Sequence, residues 1–478
     1  MRNKILVVIP NRGAIFYTWC LEFAIAESKN NDVYVLDASR FSSRYYKRSF
    51  RWWLDVISMS NPFPRFAKKI CERESITYLN NYLNAAPLEK FKRSHFKKLE
   101  KQNIFQESVR ATYALSFGSS NFSYFDVKKK FRERELRSFC RINRLTQSYI
   151  SRFQISQVVT CNGRLVPQAA VVFAALSMGI KYRLLEYPGP PGQRYCVYEN
   201  SPHSVNENQM MVKKVWEEAY SNNPKEAIRL AKLSLVSRVE NSSREKISSY
   251  PLESLNQKKY IAFFPTTDYE FAAIASPRDL RNEFDQRELF KALGDYCLSR
   301  DLKLVVRVHP QADSKHLQAK ENAIWTALSR ELNALCITAE DNLDSLTLAR
   351  NSKVNVVYAS TIALEIAFLG LPLVVCSRTP FSNLIKSNCV LDLEKLADYL
   401  EQPPRIQSEQ LYPFAYFESM AGVIINYFRV INVHEIYVGT TRIDTPNFIM
   451  SLRHKVVEMR NLRPILNFTK KTGQFAEL

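Results

Sequence analysis

Glycine is scarce in this sequence, with 11 in 478 residues. Neither a GxGxxG stretch nor a GxxxxGK[ST] loop occurs, which excludes the glycine-rich cradles that hold phosphates through closely spaced backbone amides. HExxH is absent, and so is Asp-x-Asp, a common metal–nucleotide spacing. The nine cysteines stand at 20, 71, 140, 161, 196, 297, 336, 376 and 389, with no CxxC pair among them. An odd, dispersed set excludes a disulfide framework and a zinc site, and reads as reduced core thiols in a cytoplasmic protein. No stretch reaches the roughly eighteen uninterrupted apolar residues that a membrane-spanning helix needs. The opening apolar run, 5–9, stops at Pro10, too early for a signal peptide, and reads as a first buried strand.

What is present is basic. Lys and Arg number 67 against 47 Asp and Glu, a formal charge of +20. An excess of that size implies an anionic partner: nucleic acid, an acidic membrane surface, or a charged sugar or phosphate. No helix-turn-helix, RRM or zinc motif supports nucleic acid, so no nucleic-acid partner is expected. The 46% hydrophobic and 24% charged content is that of an ordinary globular chain. Its length exceeds what one core usually serves, so two domains are expected.

Strands alternate with helices along most of the chain. Strand-like runs at 5–9, 33–36, 157–160 and 182–185 enclose helical patterns at 16–26 and 165–178. Polar helices and a linker fill 205–256, and a second α/β series follows, with strands at 260–264, 302–308, 334–337, 354–358 and 371–376. Such alternation predicts a parallel, doubly wound sheet in each half. We therefore read 1–255 as an N-terminal acceptor-side domain with a basic helical insertion at about 40–150, 256–400 as the second domain, and 401–478 as a helical tail. The insertion holds Arg44-Tyr45-Tyr46-Lys47-Arg48, Arg51-Trp52-Trp53 and the basic runs 90–101 and 128–132. These runs read as a solvated helical face or as a seat for an anionic acceptor or the inner membrane.

In doubly wound sheets, ligands bind beyond the carboxyl ends of the strands, and the polar clusters of this sequence fall there. Arg307-Val308-His309-Pro310 closes one strand: proline stops it and fixes the imidazole at the sheet edge, for a phosphate or for a nearby carbonyl. Ser360-Thr361 opens the helix 362–368, with Glu365 one turn inside; this is an ordinary cap or a phosphate and ribose site. Pro265-Thr266-Thr267-Asp268-Tyr269-Glu270 follows 260–264, where a carboxylate can serve as base or nucleophile or simply shape a turn. Glu186 and Arg194 bound a rigid Pro/Gly loop, and Asn162, Arg164 and Arg12 lie in similar loops of the first half, as candidate substrate contacts together with Glu270.

Arg-Val-His-Pro followed about fifty residues later by Ser-Thr-x-x-x-Glu and Gly-x-Pro resembles the C-terminal half of GT-B glycosyltransferases of bacterial capsule, O-antigen and lipopolysaccharide biosynthesis, in particular the polysialyltransferase and Kdo-transferase groups. The resemblance covers roughly 258–376. It implies an α/β GT-B fold, two Rossmann-like domains with parallel doubly wound sheets facing a cleft. By it, His309 meets the donor phosphate, beside the charge that Arg307 can add there, Ser360 and Thr361 the phosphate or ribose, and Glu365 the nucleotide. Asp268 becomes a nucleophile and Glu186 an acid/base. The implied activity is transfer of Kdo from CMP-Kdo, retaining through an Asp adduct, onto a glycan or lipid-linked glycan acceptor, without cofactor or metal. The other readings are a donor such as CMP-sialic acid, a UDP-sugar or CDP-glycerol, and a catalytically inactive GT-B module acting as an assembly partner.

Overall fold

The structure is a computed structural model that describes residues 2–11, 13–41, 62–79, 98–117, 124–189, 192–244, 259–269, 273, 284–309, 315–341, 343–432, 435–438 and 441–442. Arg12, Glu270 and Pro310 lie outside these residues, as do the aromatic cluster 44–53, the basic run 90–97 and the basic tail 453–463.

The first sheet has seven strands in the order β12-β6-β5-β4-β1-β2-β3. Its strands are β1 (Lys4–Ile9), β2 (Asp32–Asp37), β3 (Thr77–Leu79), β4 (Gln157–Cys161), β5 (Lys181–Glu186) and β6 (Arg194–Tyr198), closed by a late β12 (Val423–Ile424). β1 pairs in parallel with both β2 and β4, so the chain winds outward first on one side and then on the other. From Ile5 onward β1 is an unbroken run of aliphatic residues because helices cover both of its faces: Val7 packs in one core and Val8 in another. Burying each such side chain contributes about 1.5–3 kcal/mol. The helix Ala14–Ser28 is apolar on nearly all sides for the same reason, being enclosed by the sheet and the helix Pro62–Arg73.

The second sheet has five strands, all parallel, in the order β11-β10-β7-β8-β9. They are β7 (Tyr260–Phe264), β8 (Lys303–Arg307), β9 (Leu335–Ile337), β10 (Val354–Val357) and β11 (Leu373–Val375). Central β7 is buried along its whole length. Both sheets thus have Rossmann-like winding, as expected from the alternation of elements.

Three features depart from the sequence reading. The region 40–150 is not purely a helical insertion, because β3 within it extends the first sheet and the helix Lys129–Phe153 forms the crossover to β4. β6, unforeseen behind its Pro/Gly loop, runs antiparallel to β5. The stretch 419–430, expected to be helical, leaves the helix Tyr412–Met420 at once and returns to the first sheet. Gly422 makes this turn at φ +82, and Val423 and Ile424, poor helix formers, pair with β6. The returning segment is clasped by side chains of the first domain. Gln193 donates to the carbonyls of Ile425 and Phe428 and accepts from Val430 N–H, while buried Glu22 accepts from the amides of Tyr427 and Phe428.

A Cβ on Gly422 would lie 2.2 Å from the Tyr195 carbonyl oxygen, and two backbones cannot both yield. Gly422→Ala should therefore cost about 3 kcal/mol or more. Gly179→Ala, with φ +67 but nothing within 4 Å, should cost about 1 kcal/mol. Urea unfolding of both variants measures the contrast, and equal costs would remove the significance given to the return turn.

Candidate functional site

The loops after β7 and after β10 diverge, because the chain leaves β7 toward β8 and reaches β10 on the opposite side. This is the switch point where a doubly wound sheet opens a crevice. Asp268 lies just beyond β7. Its carboxylate accepts from the Gln286 side-chain amide and from the Arg287 guanidinium, and its side chain is 14% exposed. Both donors sit in the first turn of the helix Gln286–Ser299. Asp285 caps that turn in a reciprocal pair with Glu288 and so fixes where Gln286 and Arg287 emerge. Behind them the buried Glu321 carboxylate accepts from the Asp268 backbone and from Trp325. Burial first, and then the Asp268 charge, push Glu321 up to about 7.

The residues closing β8 divide. His309 is half-buried at the strand tip, and its carbonyl accepts from Gln318 at 3.0 Å. Arg307, expected beside a phosphate, points inward instead. It is 2% exposed, and its guanidinium donates to the carbonyls of Thr338 and, at 3.0 Å, Leu343. Its charge is balanced by Asp341 and Asp344, while burial lowers its pKa. It anchors the loop between β9 and the helix Ser345–Asn351.

Beyond β10, Ala359 takes the left-handed conformation at φ +54, and its N–H donates to Ser377 Oγ at 2.7 Å. A residue with a Cβ is held there at a cost of about 1–2 kcal/mol, a kind of strain that clusters at functional turns. Ser360 is half-buried and Thr361 exposed. Thr361 occupies the N-cap position of the helix Ile362–Phe368 but makes no side-chain cap bond, so the ordinary capping expected of this pair does not form through it.

Glu365, expected near a ribose, is 7% exposed and bound to Arg238 at 3.1 Å. Arg238 also pairs with Glu418 at 2.8 Å, so one guanidinium serves two carboxylates. Burial raises both acids, Glu418 to about 7. The second Glu365 oxygen, Oε2, is buried without a hydrogen bond. A Cβ on Gly189 would come within 2.9 Å of Glu418, so the loop after Glu186 rests on this triad.

In the first sheet, Asn162 follows β4 at φ +60, and Glu186 ends β5. The Asn162 amide donates to Glu186 Oε2 at 2.7 Å and contacts His203 Nε2 at 2.9 Å, while its own oxygen accepts from the Arg164 backbone at 3.3 Å. His203 Nε2 stands 3.6 Å from Glu186 Oε2. Burial first, and Arg164 second, lower the His203 pKa against the opposing pull of Glu186. Arg194, expected to contact substrate, donates to the Gly422 carbonyl at 3.1 Å. The structure therefore joins Asn162, Arg164 and Glu186, keeps Asp268, His309 and Ser360-Thr361 at three neighbouring strand tips of the other sheet, and gives Arg307, Arg194 and Glu365 structural partners. His203, Gln286, Arg287, Glu321 and Arg238 were missed; the only sequence signals were Pro202-His203-Ser204 before a helix and the Asp285-Glu288 capping spacing. Among the described residues, no group of three His, Cys, Asp or Glu side chains could hold a metal, and no helix is long and apolar enough to cross a membrane.

No family model matches the sequence, and no curated protein does. Among solved structures, the chain is similar to Methanocaldococcus jannaschii UDP-GlcNAc 2-epimerase in complex with UDP-GlcNAc and UDP, at 11% identity and TM-score 0.31, covering 87% of this chain and 98% of that one. It is similar to the Neisseria meningitidis UDP-GlcNAc 2-epimerase bound to UDP-GlcNAc at 11% identity and TM-score 0.25, covering 87% and 93%. Thermosulfurimonas dismutans KpsC, a beta Kdo 2,4 transferase, matches at 10% identity and TM-score 0.32, over 55% of this chain and 79% of that one. Likenesses this distant decide nothing about activity, and the fold assignment rests on the strand order itself.

Glu321 supplies a stability test. Its folded pKa, about 7, lies above the ordinary 4.5. Protonated Glu321 therefore favours the fold, and that stability, fully present below about pH 4.5, is lost as pH rises through about 7. Glu321→Gln keeps an acceptor for the Asp268 amide but cannot ionise. Its urea midpoint should fall less than the wild type's between pH 5 and pH 8, and parallel profiles would mean that Glu321 ionises normally.

Proposed function

We propose that the chain is a glycosyltransferase that moves a sugar from a nucleotide-sugar, with Kdo from CMP-Kdo as the donor of choice, onto a bacterial surface glycan or its lipid-linked precursor. The observation that carries this reading is the pair of carboxylates at strand tips, Glu186 in one sheet and Asp268 in the other, each held by side-chain donors. Sugar transfer with retention through a covalent adduct uses two such groups with different roles. Gln286 and Arg287 hold the Asp268 carboxylate in one orientation, as a nucleophile requires. Its attack on the anomeric carbon breaks the bond to the phosphate oxygen, and the nucleotide leaves carrying the electron pair. His309 and the hydroxyls of Ser360 and Thr361 supply donors for that phosphate. In the second step the acceptor oxygen attacks the same carbon, the bond to Asp268 breaks, and the acceptor proton passes to Glu186. The formal +20 charge suits an anionic acceptor or an anionic membrane surface beside it.

A donor panel of CMP-Kdo, CMP-sialic acid, a UDP-sugar and CDP-glycerol, followed by nucleotide release, tests the reading. Release of CMP from CMP-Kdo is expected. Asp268→Ala should lower turnover at least about a thousandfold while CMP still binds, and His309→Ala should weaken CMP binding by about tenfold. Near-normal turnover in Asp268→Ala overturns the nucleophile assignment. Binding of nucleotides without release from any donor favours an inactive module that serves as an assembly partner.

A further inference from the structure

His203 has no part in the steps above, yet it belongs to the same buried cluster as Glu186. The Asn162 amide has two hydrogens, and both are used: one goes to Glu186 Oε2 at 2.7 Å and the other to His203 Nε2 at 2.9 Å. The orientation of that amide is fixed from its other side, because its oxygen accepts from the Arg164 backbone N–H. A ring nitrogen that faces an N–H donor must present its lone pair, so the neutral imidazole carries its proton on Nδ1 and keeps Nε2 as an acceptor. That lone pair lies 3.6 Å from the carboxylate oxygen of Glu186.

We infer that His203 is the proton-holding partner of Glu186: its Nε2 lone pair receives the proton that Glu186 takes from the acceptor hydroxyl, and returns it through Glu186 to solvent after the sugar has moved. The inference rests on the glycosyl-transfer reading and names a residue that acts through Glu186, hence a positioning residue. The exchange balances without any further reactant. The Glu186 O–H bond breaks, the His203 Nε2–H bond forms, and a neutral acid beside a neutral imidazole becomes a carboxylate beside an imidazolium. Asn162 remains bonded to the carboxylate throughout. When Nε2 gains a proton it gives up the Asn162 hydrogen bond and turns to Glu186 instead, the shift that the 3.6 Å separation leaves room for.

The surroundings favour a resting neutral imidazole. Burial and the Arg164 charge lower the pKa of His203, and only Glu186 opposes them. Cys161 and Tyr198 also face Glu186, but both are pushed to higher pKa by burial and stay uncharged at neutral pH. His203 is thus empty of its second proton at the start of a cycle, with one carboxylate to receive it from.

The test has one arm that needs no activity. Imidazole NMR titration of the full chain follows its six histidines, and His203 is assigned by the signal missing from His203→Gln. Glu186→Gln keeps an acceptor for Asn162 but removes the charge, so the His203 pKa should fall by about one unit. An unchanged His203 titration in Glu186→Gln overturns the inference whether or not the chain transfers sugar. The second arm uses whichever donor is turned over. His203→Gln retains an acceptor at the Asn162 contact but cannot take a proton, so kcat should fall by about tenfold to a hundredfold with donor KM little changed, and the ionisation limiting kcat should move in the pH profile. A purely structural histidine would leave that profile in place, and such a result also overturns the inference. Loss of all transfer in wild-type protein, with the NMR shift present, removes the glycosyl-transfer reading and leaves the proton pair standing.

Discussion

One arginine ties the two halves of this molecule together. Arg238 sits on the long helix Pro224–Arg244 that leads from the first sheet to the second, and it binds Glu365, on the helix after β10, and Glu418, on the helix Tyr412–Met420 that turns back. Three helices from three parts of the chain meet in one ionic contact. The loop behind Glu186 then rests on Glu418 through Gly189, where no side chain would fit. Two buried carboxylates on one guanidinium are not an economical source of stability, since desolvating the charges offsets much of their attraction. What the triad supplies is register: it sets the strand tips of the first sheet against the helix that follows β10.

Around that fixed contact, the polar groups at the strand tips share a pattern. Each candidate carboxylate is held by side-chain donors rather than left to water. Asp268 has Gln286 and Arg287, and Glu186 has Asn162. Each also has a titratable neighbour that burial shifts toward its neutral form, Glu321 behind Asp268 and His203 behind Glu186. Two titratable groups in contact whose surroundings differ are the arrangement that separates the roles of two acids. Ala359, held left-handed by Ser377, adds a strained turn at the same edge.

The sequence carried the parallel strands clearly, because strands covered on both faces are unbroken aliphatic runs; β7 and the helix Ile362–Phe368 were read with their observed limits. It concealed β3, three residues long inside a basic region, and β6, which follows a Pro/Gly loop and has no apolar run of its own. It misled at 419–430, where the return to the first sheet is set by contacts with Gln193 and Glu22 more than two hundred residues away. The site followed the same division. The positions of Asn162, Glu186, Asp268 and His309 at strand ends were legible: Glu186 ends β5, and the others follow β4, β7 and β8. The protein partners of Arg307 and Glu365 were not legible, because a strand or helix buried on every side gives no pattern to tell an inward side chain from an outward one. His203, Arg238 and Glu321 were invisible because their partners are distant in sequence and only the fold brings them together.

A crystal soaked with CMP tests the central claim most directly. The account predicts the nucleotide between the tips of β8 and β10, its phosphate within hydrogen-bond reach of His309 and of the Ser360 and Thr361 hydroxyls, and its open side toward Asp268. A nucleotide bound away from those loops, or a CMP-soaked crystal with that crevice filled by protein, would contradict it.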